Sequence, residues 1–301
     1  MNPTATWNLV EDLRRMLSYP FMVNALRAGT IVALVAGAIG WIMVLRRESF
    51  AGHTLALVGF PGAAAATWLG IASGYGYFGA CLAAALIIAA LPRSMRSRGG
   101  GEQSAVIGTV QAFALAAGML FVGLYKGFLS GLTNLLFGTI AGVTDEQVIL
   151  LLAAAVPFLL ALTLLGRPLL WSSIDPEAAA AQRIPVRLVG AAFMLLLGVA
   201  AAATSQVTGS LLVFALLVAP AAAAHQLTGR PGYGIAASVA IALVVTWVGM
   251  GFAFFSPYPI GFWVSSFAFG CYLLCLGWRK WRDRAQLHAP AQRQAPLEVA
   301  A

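Results

Sequence analysis

Few side chains in this sequence could do chemistry, and most of them lie at the edges of apolar runs. His53 opens one such run and His225 closes another. A neutral imidazole is a good ligand for transition metals, so two histidines at similar depth form a candidate cation site. The other reading is a pair of interfacial histidines hydrogen-bonded to backbone or lipid headgroups. Cys81, Cys271 and Cys275 fall within apolar runs and fit small buried residues. Cys271 and Cys275 share a helix face at i, i+4 but have no histidine near them in the sequence. The ten carboxylates are more telling, because none falls in the interior of an apolar run. A carrier driven by protons or sodium usually holds a carboxylate at membrane depth to bind and release the driving ion. No glycine-rich phosphate loop occurs, and neither lysine, Lys126 or Lys280, follows a glycine. A pump built on this chain takes its ATP hydrolysis from another protein.

The elements that position these residues are membrane helices. The chain has 301 residues, 60% hydrophobic and only 9% charged, with a mean hydropathy of +0.87. A soluble domain carries roughly a quarter charged residues. The apolar runs approach the roughly 20 residues that a helix needs to cross a bilayer, and they lack the alternation of a β-barrel. The class is an all-α polytopic membrane protein. Nine spans are expected, eight being the alternative, at about 21–45, 52–71, 75–91, 105–124, 146–165, 187–206, 208–227, 232–254 and 260–278. The net charge of +8 needs no nucleic-acid partner, since the basic residues sit between spans, where they set orientation. If the first span ends inside, only Arg14, Arg15, Arg27 and Lys126 fall outside the cytoplasmic segments. The C-terminus is then cytoplasmic.

Residues 1–20 contain WNLVEDLRRML, with apolar and charged faces, and are expected to lie along the interface rather than to be cleaved as a signal peptide. The membrane-spanning body is 21–278, and the polar tail 279–301 is expected to be disordered. Pro61, Pro157 and Pro220 interrupt three spans. Two of these sites look alike, LALVGFPGAAAA (55–66) and FALLVAPAAAA (214–224), as an inverted repeat or as chance among alanine-rich helices. SPYPIG (256–261) reads as a tight turn. Asp145 and Glu146, with Tyr125 and Lys126, fall on the outer side, as a cation-drawing patch or a solvated loop.

One polar segment interrupts the apolar pattern. SSIDPEAAAAQRIPVRL (172–188) holds a short helix with Asp175 as N-cap, Pro176 in the first position and Glu177 at the positive end of the dipole. It is either a rigid cytoplasmic knob for a soluble ATPase or an ordinary loop with a helical turn.

RRESFAGHTLALVGFPGAAAA (46–66) resembles the pattern R-x-x-S-F-x-G-[DH]-A-L-S-H-x-x-x-P-G of the ABC-3 permeases of bacterial importers for zinc, manganese and iron. NLLFGTIAGVTDEQV (134–148), DPEAAAAQRI (175–184) and VTGSLLVFALLVAPAAAAH (207–225) resemble further marks of that family, in the same order. The resemblance implies a type II importer-like bundle in the bacterial cytoplasmic membrane, paired with a second permease copy or with a close relative of it. It also implies two ABC ATPase subunits, an extracytoplasmic metal-binding protein, no bound cofactor, and a divalent cargo with zinc first and manganese second. Asp175, Pro176, Glu177 and Ala179 would belong to the coupling helix (175–184) that docks on the ATPase. Arg183 stands where glycine is usual, so the exit from that helix is expected to differ. His53 keeps one family position, but Leu57 and Ala56 replace a second histidine and a serine. His53 and His225 from both halves of a dimer are the alternative transit ligands, as a temporary four-nitrogen site. The rival is an ATP-independent channel or secondary transporter.

Overall fold

Long apolar runs fold as helices because a backbone in lipid must satisfy its own hydrogen bonds. The computed structural model describes residues 8–90, 101–124, 142–210 and 213–287, and the described residues are helical apart from short connections. In chain order the helices are α1 (Leu9–Leu17), α2 (Pro20–Leu45), α3 (Ser49–Trp68), α4 (Ser73–Ala90), α5 (Gly101–Leu124) and α6 (Asp145–Ile174). They continue with α7 (Pro176–Ala181), α8 (Val186–Thr208), α9 (Val213–Leu227), α10 (Pro231–Phe255) and α11 (Ile260–Leu287). Arg93, Arg96, Arg98, Tyr125, Lys126, Arg293 and most of segment 134–148 lie outside the described residues.

Seven of these helices are long and apolar enough to cross a membrane: α2, α4, α5, α6, α8, α10 and α11. The nine expected spans are therefore not all of one kind. The other two correspond to α3 and α9. Helix α9 has 15 residues, about 22 Å of rise, against a hydrocarbon core of about 30 Å. It starts only after a break at Gly209, whose φ of 74° and extended ψ favour glycine. Helix α3 has 20 residues and is enclosed by α4, α5, α8 and α9, so its side chains need not be lipid-soluble. Both helices run through a proline, Pro61 in α3 and Pro220 in α9.

Helix α2 forms the centre, packing on α6, α8, α9 and α10. The outer helices expose apolar stripes instead, such as Ile149, Leu152, Val156, Leu160 and Leu164 on α6. A bundle that exposes leucines this way is solvated by lipid. Buried hydroxyls bond within their own helix: Thr204 Oγ1 donates to the Ala200 carbonyl (2.7 Å) and Ser205 Oγ to that of Ala201 (2.8 Å). Others join helices. Ser238 Oγ on α10 donates to the Gly37 carbonyl of α2 (2.7 Å), and Cys81 Sγ on α4 to the Leu55 carbonyl of α3 (3.2 Å).

Helix α1 pairs Glu11 with Arg15 (2.8 Å) and leaves Val10, Leu13 and Leu17 exposed, the amphipathic pattern expected of an interfacial segment. At the other end the expectation fails in part. The tail is not disordered from 279, because α11 runs on to Leu287 and Arg279 pairs with Asp283 one turn later (3.7 Å). Residues 288–301 lie outside the described residues. Asp145 and Glu146 occupy the first turn of α6 behind a capping box, in which Thr144 Oγ1 accepts from the Gln147 amide (3.3 Å) and Gln147 Oε1 from the Thr144 amide (3.3 Å). Their charge complements the helix dipole there.

Three helices end in the same left-handed device. After α2, the Glu48 amide donates to the Met43 carbonyl and that of Arg47 to Val44, with Arg47 at φ 58°. After α3 the same pair of bonds surrounds Gly70 at φ 76°, and after α7 it surrounds Arg183 at φ 61°. This is the Schellman arrangement, whose turning position favours glycine. The exit expected to differ because of Arg183 thus keeps the glycine-like backbone, with strain at the arginine. Arg183→Gly is expected to stabilise the protein by about 0.5–1 kcal/mol, since it removes the left-handed penalty at some gain in unfolded-chain entropy. A thermal midpoint in mild detergent that falls in this variant would contradict that reading.

Candidate functional site

The site is assembled around the turn between α6 and α8. Asp175 both ends α6 and caps α7: its Oδ1 accepts from the amides of Glu177 (3.1 Å) and Ala178 (2.9 Å). Pro176 takes the first helical position, where its missing N–H leaves nothing unpaired. Asp175, Pro176 and Glu177 are exposed, while Ala179 is fully buried against the bundle. The short helix is thus seated by one methyl group and presents its acidic first turn outward.

The short helix packs on α6 and α8, and beside it those two helices are tied to α2 by a basic residue 127 positions from its partner on α6. Arg46, at the end of α2, donates from Nη1 to Ser173 Oγ (3.2 Å). Its Nε and Nη2 reach the two carboxylate oxygens of Glu48 at 3.2 and 3.3 Å, and its guanidinium lies 4.8 Å from the centre of the Phe193 ring on α8. Arg46 and Glu48 are nearly buried, with 12% and 15% of their side chains exposed. A forked, stacked arginine of this kind ties α2, α6 and α8 together on either side of α7. Sequence reading passed over this tie; its one local signal is Arg46 and Glu48 two residues apart across a turn.

The two histidines are both near the end of α2. Gly52, next to His53, packs on Met43, and His225 stacks on Trp41 with ring centres 4.7 Å apart. His53 instead meets Phe214 edge-on at 4.9 Å, and its Nδ1 is buried with no hydrogen-bond partner among the described residues. His225 Nε2 lies 3.1 Å from the Trp41 carbonyl. An N–H there must donate, which leaves the lone pair of neutral His225 on Nδ1. Each imidazole therefore has its own aromatic neighbour within one chain. One turn beyond His53 stands the buried side chain of Leu57. Among the described residues no three of His, Cys, Asp and Glu converge into a metal-holding group.

Comparison with known proteins adds the next step. The model of the family described as "ABC 3 transport family" matches residues 18–277, nearly the whole helical body. The chain belongs to that family. Within it, the chain is 32% identical over 223 residues to the manganese transport system membrane protein MntC of Halalkalibacterium halodurans, covering 74% of this chain and 75% of that one. It is 30% identical over 217 residues to the manganese import system permease protein ScaB of Streptococcus parasanguinis, covering 72% and 76%. Among solved structures it is similar to a chain of PsaBC from Streptococcus pneumoniae in complex with Fab, at a TM-score of 0.79 and 25% identity, covering 89% of this chain and 95% of that one. This ABC 3 family chain is accordingly a multi-pass membrane protein, and its all-helical bundle is the fold of those relatives.

Proposed function

We propose that this chain is the membrane permease of an ATP-driven importer for a divalent transition metal, in the bacterial cytoplasmic membrane. The observation that carries the reading is α7, an exposed, capped helix with an acidic first turn, packed on α6 and α8 beside the Arg46 tie, in a chain of the ABC 3 family. Manganese moves ahead of zinc as the cargo, because the relatives reported above are named for manganese. The concentration of arginine at the α7 end supports a cytoplasmic location for that end and for the C-terminus by the positive-inside rule. Two ATPase subunits, a second copy of the permease and an extracytoplasmic metal-binding protein complete the assembly.

In this reading ATP binding and hydrolysis in the partner move α7, and Arg46 passes the motion to α2 and α8. Helices α3 and α9 are the interior, proline-interrupted elements that best mark a transit path in a membrane bundle. They carry His53 and His225. The unpartnered His53 Nδ1 is the donor most ready to take a cation, and the His225 lone pair, fixed by the Trp41 carbonyl, is the second. So sparse a ligand set binds weakly and lets its cargo leave.

The test is uptake of radioactive manganese by proteoliposomes holding the tagged chain with the ATPase that co-purifies with it. Uptake is expected only with ATP, and zinc should compete. His53→Ala is expected to lower uptake by about tenfold, the usual range for a ligand contact, and His225→Ala by less, with the amount of protein unchanged. Uptake without ATP, or failure of any ATPase to co-purify across several gentle detergents, would favour a channel or carrier instead. Normal uptake in both variants removes the histidines from the path.

A further inference from the structure

We infer that the start of α10 and the end of α11 form a cradle for the headgroup phosphate of an anionic phospholipid. A cavity of about 490 Å³ opens there, lined by Arg230, Arg279, Arg282, Asp283, the last residues of α9 from His225 to Leu227, and the connection Thr228–Gly229. Three guanidinium groups face one carboxylate. The carboxylate is already engaged, since Asp283 Oδ2 lies 3.7 Å from Arg279 Nε, and Arg279 Nη1 donates to Gln226 Oε1 (2.9 Å). Of the three lining arginines that leaves Arg230, at the N-cap of α10, and Arg282, on α11, to meet a ligand.

The backbone adds to the same field. Thr228 Oγ1 accepts from the Arg230 amide (3.2 Å) and so shapes the entry to α10, which has Pro231 in its first position. The first amides of this 25-residue helix, after Pro231, have no carbonyl a turn below them. A helix N-terminus with arginines around it favours a phosphoryl anion over a carboxylate or a neutral group.

The surroundings select a lipid over free phosphate. Leu273 and Leu274 are exposed on the apolar stretch of α11, and one turn on come Trp278 and Trp281, also exposed, with ring centres 5.3 Å apart. Tyr233 is exposed on the first turn of α10. Exposed tryptophan and tyrosine between a leucine face and arginines mark the depth of lipid headgroups. Basic pockets between membrane helices at that depth bind anionic headgroups. The inference does not depend on the cargo or on the ATPase.

The experiment is native mass spectrometry of the purified full chain, titrated with phosphatidylglycerol or phosphatidylcholine, with and without inorganic phosphate at constant ionic strength. The wild-type protein is expected to prefer phosphatidylglycerol, and Arg230→Gln with Arg282→Gln to weaken its binding by about fivefold for each arginine lost. Asp283→Asn, which frees Arg279, is expected to strengthen it by about twofold and keeps the test open should the arginine variant fail to fold. Arg187→Gln, elsewhere on the basic end, should change nothing. Equal binding of the two lipids, or a preference for phosphatidylglycerol that survives loss of both arginines and is unmoved by Asp283→Asn, would overturn the inference. Displacement of the lipid by inorganic phosphate would assign the cradle to a soluble anion and overturn the lipid assignment.

Discussion

Gly62→Ala is expected to destabilise the bundle by about 1–3 kcal/mol, the range for overpacking a tight helix contact. A Cβ on Gly62 would run into the carbonyl oxygen of Gly76 and the Ala80 methyl, and a Cβ on Gly76 would run into the carbonyl oxygen of Gly62. The obstruction is backbone on both sides, so neither helix can relieve it by turning a side chain. Helices α3 and α4 approach this closely because both lack a Cβ at the crossing, the usual way helices gain contact in lipid. Gly79→Ala on the same face-sharing helix α4 is the control, because a methyl there meets nothing within 4 Å. Its helix propensity even improves. The measurement is the temperature at which half of each variant stays monodisperse in mild detergent. Equal midpoints for Gly62→Ala and Gly79→Ala would mean that α3 and α4 do not cross at these glycines.

Asp175→Lys combined with Glu177→Lys is expected to abolish association with the ATPase while the chain inserts normally. Reversing two exposed charges at the centre of the proposed docking element is expected to remove about 3 kcal/mol or more, roughly a hundredfold in affinity. Part of the effect is structural, because Asp175 Oδ1 holds the amides of Glu177 and Ala178, and loss of such a cap is worth about 1 kcal/mol. Asp175→Asn separates the two contributions. Asparagine caps as well as aspartate does, so this variant keeps the helix and loses one charge. The readout is the ATPase recovered with the tagged chain relative to the chain found in the membrane fraction. Full recovery with both lysines in place would show that α7 is not the docking element. Recovery lost with lysine and kept with asparagine would place the effect in the cap and the sign reversal rather than in the aspartate charge itself.

The amino-acid sequence by itself determined what short-range rules decide. Apolar runs near the bilayer length lead to helices close to the expected positions, and Asp-Pro-Glu followed by alanines leads to α7 starting within one residue of the expected 175 but ending at Ala181, three residues short of 184, because capping and helix periodicity act over one or two turns. The motif order led to the right family for the same reason: it is carried by contiguous residues. Only the tertiary structure decided which helices lie inside. The enclosure of α3 follows from close approach, as at Gly62 and Gly76, which depends on where two segments cross and is not encoded in composition. The tie from Arg46 to Ser173, the stack of His225 on Trp41 across 184 residues, and the unpartnered nitrogen of His53 depend on where distant segments meet. The last turns of α11 were misread because a polar composition looks disordered when taken alone, whereas a helix already propagated through the membrane extends at little further cost, helped by Arg279 and Asp283 one turn apart. Local hydrogen bonding is written residue by residue along the chain. Packing and polar pairing depend on which surfaces survive exclusion from lipid and from one another, and that is settled only when the whole bundle closes.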